Sequence, residues 1–320
     1  MKRKVIIDCD PGHDDALAIF LAAKHLDVVG ITTVGGNQDI NKVTTNALKL
    51  VEVGQMTEIP VARGMAYPLV KPPHYAPEVH GETGMDGPDL PDPTTPLHPS
   101  HAVQFIIDTV MSTDDVTLIP MGPLSNVAAA LRQEPRIAAR IPEISLMGGG
   151  MTSGNATATA EFNIWVDPEA AHVVFTSGIP IKMCGLNLTR QANATDVEID
   201  RIRAIGNRVG DAAAAMLDFY KGTLQEHFGL SGASLHDPCA VACLIDPDII
   251  EFEPMHVAVE LKGEHTYGMT VCDHRHLRGM GEKVVRQGKR KGEEPNAEVA
   301  LHIDKDRFFD LLIDTLAQYD

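Results

Sequence analysis

Short apolar runs alternate with longer amphipathic stretches along most of this chain. "KVIID" is a compact β-favouring run and predicts a strand, while "DDALAIFLAAKHL" spaces its apolar positions as a helix does. "VVGITTVGG", "IPVARG", "VTLIPMG", "EISLMGGG" and "IPIKMCGLN" repeat the strand pattern. "NKVTTNALKLVEVG", "HAVQFIIDTVMST", "LSNVAAALRQEP" and "DPEAAHVVFTSG" repeat the helical one, the last opened by an Asp-Pro start signal. From Asp196 to Tyr220 the pattern is mostly helical, and "HDPCAVACLID" opens a further helix. "MHVAVELKG", "GMTVCD" and "AEVALHID" then read as strands before a closing helix in "DRFFDLLIDTLAQY". This alternation predicts one α/β domain over residues 1–320, with an open, mostly parallel sheet flanked by helices. One segment interrupts it: "MAYPLVKPPHYAPEVHGETGMDGPDLPDPTTPLHPS", rich in Pro, Gly and His. A loop of this length inside a compact domain is commonly functional, and residues 72–100 are expected to form a mobile active-site loop.

The polar positions at the ends of these elements are more informative than the apolar ones. "VIIDCDPGHDDALAIF" places Asp8 and Asp10 at the end of the first strand, Pro11 and Gly12 in a turn, and Asp14 and Asp15 in the first turn of the next helix. Helix-start electrostatics account for Asp14 and Asp15 but not for the strand-end pair. Carboxylates clustered without imidazole or thiolate partners suit a hard cation, and an irregular set of acids and carbonyls favours Ca²⁺ over Mg²⁺. Far along the chain, Asp237 in "SLHDPCAVA" is either a helix cap or a ligand closing the same site. "GNATATAEFNIWVDPEAA" brings Asn155, Glu161 and Asn163 into one segment, with the helix expected to begin only at Asp167. In an extended backbone Glu161 and Asn163, two apart, point the same way. A carboxylate with two amides offers acceptors and donors to sugar hydroxyls. The alternative for Asn155 is a bond to its own loop backbone.

Composition narrows the partners. The chain has 320 residues, 44% hydrophobic and 22% charged, with a net charge of -17 that argues against nucleic-acid binding. The basic run "RQGKRKGEE" is cut short by its own acids and reads as a solvated loop. No apolar run is long enough to span a membrane, and "MKRKVIIDCD" lacks the apolar core of a signal peptide. Cys9, Cys184, Cys239, Cys243 and Cys272 are scattered without a CxxC pair, which suggests buried free thiols and a cytoplasmic protein.

"DCDPGHDDA", "AEFN" and "HDP", together with "GGN", "HGETGMDGP", "GPLSN", "LMGGG" and "GMTVCD", resemble the inosine-uridine nucleoside hydrolases over nearly the whole chain. The resemblance implies an open Rossmann-like α/β fold, one Ca²⁺ per subunit, and hydrolysis of the N-glycosidic bond of ribonucleosides to ribose and free nucleobase with inversion. By motif, Asp10, Asp15, Asp237 and the carbonyl of Met121 would bind calcium, and Asp10 would also act as general base on the metal-bound water. The family usually has Thr at position 121, a change that a main-chain contact tolerates. Asp14, Asn155, Glu161, Asn163 and Asp237 would hold the ribose, with Met147 beneath the sugar, Asn37 nearby and Asp8 in support. Against the base, the resemblance places His236 as catalytic residue and His80 in the loop, with His227 a further candidate. Phe228 stands where pyrimidine-preferring members carry a tyrosine, which removes a hydroxyl donor. Trp165, the single tryptophan, is expected to pack in the core. A homo-oligomer, dimer or tetramer, is also implied. Two rival readings are a phosphatase of the haloacid dehalogenase type, which also begins Asp-x-Asp after a strand, and a non-catalytic ribose- or calcium-binding protein.

Overall fold

The computed structural model describes residues 2–280 and 294–320, so the basic run at 286–293 lies outside the described residues. Among the described residues, twelve strands run in chain order: β1 (Lys4–Cys9), β2 (Asp27–Thr33), β3 (Val61–Arg63), β4 (Val116–Pro120), β5 (Ile144–Met147), β6 (Ile181–Cys184), β7 (Asn193–Ala194), β8 (Ala233–Ser234), β9 (Ile250–Met255), β10 (Val257–Val259), β11 (Thr270–Cys272) and β12 (Ala297–Ile303). Eight of them form one sheet in the order β3-β2-β1-β4-β5-β6-β12-β9, and β7-β8 and β10-β11 form two small ribbons. The large sheet is parallel except where β9 runs antiparallel to β12 at its edge.

Strand β1 shows how the sequence makes this sheet. Val5, Ile7 and Cys9 face one apolar layer, which contains the helices His13–His25, Arg208–Phe228, Asp237–Ile245 and Lys305–Leu316. Ile6 faces the other, with the helices Ala102–Ser112, Ser125–Gln133 and Pro168–Phe175. Both faces are covered, which is why the strands read as continuous apolar runs rather than alternating ones.

Three sequence expectations need correction. A helix at Phe162–Val166 precedes the one at Pro168, so Glu161 and Asn163 do not share an extended strand. Five residues are too few for a helical period to show, and the helix is held by its cap instead. Trp165 is half-buried rather than a core residue. It lies beneath the stem of the long loop, with Lys71 Nζ 3.5 Å above its ring and His74 edge-on at 4.8 Å. Finally, the strand read from Met255 is the short β10, and a separate strand precedes it, β9, whose Glu251 and Pro254 disguise it as a loop. Charge and proline are what an edge strand tolerates.

Candidate active site

Strand order reverses between β1 and β4, the place where open α/β sheets bind ligands at their carboxyl ends. The acids gather there. Gly12 caps the helix His13–His25, and its N–H donates to Asp15 Oδ2 at 2.9 Å, turning the chain so that strand-end and helix-start carboxylates meet. One oxygen each from Asp14, Asp15 and Asp237 lies within 4.8 Å of the others. All three are buried, as is Asp10. Asp15 Oδ1 is buried with no hydrogen-bond partner among the described residues.

This arrangement is electrostatically costly for the protein alone. Burial and repulsion from Asp15 raise Asp10 well above the usual carboxylate range. Burial and Asp14 lift Asp15 to about 7, and burial with Asp14, Asp15 and Asp10 raises Asp237 strongly. Like charges this close cannot all ionise without a counter-cation. The orphaned Asp15 oxygen, with donors that are all hard oxygens, fits a divalent cation.

Asp10 lies beside that trio and is held from several directions. Its Oδ2 accepts the N–H of Asn37 at 2.6 Å, and the Asn37 amide donates to the Asp10 carbonyl. A Cβ on either Gly36 or Gly122 would come 2.9 Å from Asp10 Cγ, so the two glycines let the backbone close around this carboxylate. Asp8, within β1, is equally buried, and its Oδ2 has no hydrogen-bond partner among the described residues. Its Oδ1 accepts from Thr32 Oγ1 at 2.6 Å and from Asn126 Nδ2 at 2.8 Å, and burial lifts its carboxyl to about 7.

The Glu161 segment works differently from its sequence reading. Glu161 caps the helix Phe162–Val166, with Oε1 accepting from Asn163 N and Oε2 from Ile164 N and Gly149 N. Burial nonetheless lifts it to about 7. Asn163 Nδ2 donates to the Met121 carbonyl at 2.6 Å and to the Met147 carbonyl at 3.2 Å, tying together the carboxyl ends of β4 and β5. Asn155 is exposed, and its Oδ1 accepts from Phe162 N, the loop-closing role weighed against sugar binding.

On the opposite side, His236 is half-buried. Its main-chain N–H donates to Asp14 Oδ2, and its ring Nδ1 lies 2.7 Å from Thr189 Oγ1. His80 is 6% exposed, within the short helix Pro77–His80 of the long loop. Its ring stacks on His13 and Tyr220. His227 is exposed near the end of the helix Arg208–Phe228, with its ring 6.4 Å from that of Phe228. Sequence reasoning missed His13, Thr189, Asn126 and Tyr220. His13 stood inside the quoted acidic run, but a histidine at a helix start gives no signal of its partners.

Fold and site together define an α/β protein with a buried carboxylate cluster at its topological switch point. The chain belongs to the inosine-uridine preferring nucleoside hydrolase family, whose model matches residues 5–310. It is 43% identical to a pyrimidine-specific ribonucleoside hydrolase, RihB, of Escherichia coli, over 99% of this chain and 98% of the relative. Among solved structures it resembles a purine-preferring ribonucleoside hydrolase from Gardnerella vaginalis (32% identity, TM-score 0.88, 98% of each chain). It also resembles a plant nucleoside hydrolase, PpNRh1 (32% identity, TM-score 0.90, 99% of this chain and 100% of that one). The protein is an enzyme that hydrolyses ribonucleosides; the phosphatase and the non-catalytic binding readings find no support. Among the described residues, no helix is long and apolar enough to cross a membrane. All five cysteines are buried and free, as their scatter suggested.

Proposed function

We propose that the site holds one Ca²⁺ per subunit through Asp10, Asp15, Asp237 and the Met121 carbonyl, and cleaves the N-glycosidic bond with inversion. The observation that carries this reading is the buried cluster of Asp14, Asp15 and Asp237 with its orphaned Asp15 oxygen, beside which Asp10 lies close enough to feel Asp15 and Asp14. When bound, calcium would grip the ribose diol and acidify the attacking water. Asp10 takes the proton from that water at Oδ1, since Oδ2 is engaged by Asn37. Asp14 and Asp237, with the atoms the neighbouring groups do not spend on their own hydrogen bonds (Asn155 Nδ2, Asn163 Oδ1 and the remaining lone pairs of Glu161), orient the sugar over Met147, and the carboxylates favour an oxocarbenium-like transition state. His236, its Nδ1 engaged by Thr189, presents Nε2 to the leaving base.

The acids expose little surface, at 1% for Asp10 and 4% for Asp14 and Asp237, and we read nucleoside entry as requiring a movement. We assign that movement to loop 72–100, which carries His80 over the site. The base preference is read as broad: the matched relatives are by name pyrimidine-specific and purine-preferring, and Phe228 removes a tyrosine hydroxyl. Scattered buried thiols support a cytoplasmic enzyme, and membership of the family supports a homo-oligomer, which sedimentation tests. The deciding experiment measures base release from inosine, uridine and cytidine, before and after chelation and with Ca²⁺ or Mg²⁺ restored. Release that survives exhaustive chelation refutes the calcium reading.

A further inference from the structure

The proposed calcium and ribose contacts do not use the buried His13. His13 is fully buried, directly after the Gly12 turn, and its ring is stacked on those of Phe219 (5.4 Å, 15°), Tyr220 (5.3 Å, 1°) and His80 (5.3 Å, 17°). Both of its ring nitrogens are engaged. Nε2 lies 2.8 Å from the Asp86 carbonyl oxygen, and Nδ1 lies 3.1 Å from His80 Nδ1.

These two contacts determine where the protons are. A carbonyl oxygen only accepts, so His13 Nε2 must carry hydrogen. A neutral imidazole has one N–H, which leaves His13 Nδ1 as a lone pair. Its contact with His80 is then a hydrogen bond only if His80 Nδ1 is the donor. Neutral His80 therefore has a bare Nε2. Flipping the His13 ring would put carbon at both positions and lose both bonds, and the stacked rings hold it as it is. The alternative, a charged imidazolium at His13, finds no anionic partner at either ring nitrogen, since one meets a main-chain carbonyl and the other a second imidazole, and a buried charge without a paired ion is costly. The groups facing His13 that favour charge are Asp14 and Asp86.

We propose that His13 is a positioning residue that holds His80 in the Nδ1–H tautomer, so that His80 offers the nucleobase a hydrogen-bond acceptor at Nε2. The residue that orients a histidine through its second nitrogen sets what the first nitrogen does. The substrates recognised are ribonucleosides whose base turns an N–H donor toward the loop. Protonation of the departing base then falls to a group other than His80. Because Asp86 belongs to the same long loop, the tautomer is set only when that loop is seated on His13. This inference rests on the proposed placement of His80 over the base.

The test uses the full-length protein with ¹⁵N-labelled histidine rings, whose long-range ¹H–¹⁵N correlations separate protonated from bare ring nitrogens. The His80 signals are assigned by their loss in His80→Ala. The expected wild-type spectrum shows His80 protonated at Nδ1 and bare at Nε2. His13→Gln keeps it, because a glutamine amide can donate to Asp86 and accept from His80. His13→Phe keeps the ring stack but offers no acceptor, and gives a mixture of tautomers. With His13→Phe, kcat for uridine and inosine falls roughly tenfold or more, the range seen for outer partners of a functional histidine, and His13→Gln recovers most of it. Turnover of p-nitrophenyl riboside, whose leaving group needs no base contact, changes by less than about threefold. A wild-type His80 protonated at Nε2, or a His13→Phe spectrum unchanged at His80, overturns the proposal. The wild-type spectrum decides the matter even if His13→Phe does not fold. It is also independent of whether the calcium reading holds, which p-nitrophenyl riboside turnover with and without chelator reports separately.

Discussion

Replacing Gly36 by alanine adds one methyl group beside the proposed general base. In the structure that Cβ would stand 2.7 Å from Pro123 Cδ and 2.9 Å from Asp10 Cγ. Ordinary carbon contacts are about 3.5–4.0 Å, and Asp10 Oδ2 would lie nearer to the new Cβ than Cγ does, so the Asp10 carboxylate must retreat by roughly 1 Å or more. It has little room to do so. Gly122 closes the far side, where a Cβ would likewise come 2.9 Å from Asp10 Cγ, and Asn37 N holds Oδ2 at 2.6 Å. Displacement of a reacting group by about 1 Å costs on the order of 100-fold in rate, and overpacking costs roughly 1–3 kcal/mol in stability. Gly36→Ala is therefore expected to lower kcat/KM by about 10- to 100-fold on nucleosides and on p-nitrophenyl riboside alike, because the base acts whatever the leaving group. Initial rates on both substrates and a thermal melt measure this. Adding Asp10→Ala to Gly36→Ala should recover stability without recovering turnover. A folded Gly36→Ala enzyme with kcat/KM within about threefold of wild type would refute the claim that Asp10 is the tightly placed base.

Metal removal should expose the cost of the buried acids as a pH effect. Asp8 and Glu161 are lifted to about 7 by burial, and Asp15 to about 7 by burial and Asp14. A pKa raised in the folded state stabilises below the unfolded value, near about 4, and that stability is lost as pH rises through the folded value. The chelated protein should thus melt lower at pH 8 than at pH 5, with Ca²⁺ restoring most of the loss at pH 8; a melt that does not depend on pH contradicts it. Asn163→Ala strips the donor from the Met121 and Met147 carbonyls and should cost roughly 1–3 kcal/mol in urea unfolding, with a larger loss for Asn163→Asp. Gly222→Ala, in an exposed helical turn with open space around it, should add roughly 0.5–1 kcal/mol and leave turnover alone; destabilisation there would show an interaction of the bare backbone.

The order of strands and helices was legible because β1 to β6 are centred on short apolar runs and their helices are periodic, each a local signal. The acids of "DCDPGHDDA" were legible for a related reason: a strand end, a Pro-Gly turn and a helix start lie within eight residues, so chain geometry alone brings them close. What failed had no local signal. The helix Phe162–Val166 exists because Glu161 caps it and because Asn163 finds carbonyls 42 and 16 residues away. Trp165 is drawn out of the core by Lys71 and His74, which belong to a loop with no periodicity. Of His13, the sequence shows only a residue beside two aspartates. That its nitrogens meet Asp86 and His80, 73 and 67 residues away, is settled by tertiary packing. The sequence by itself determined the α/β architecture and the ends of elements where charge collects, because propensity and periodicity act between near neighbours. Only the tertiary structure decided which lone pairs are already spent and which remain for a ligand, because hydrogen bonding in the interior is settled between residues that the chain keeps far apart.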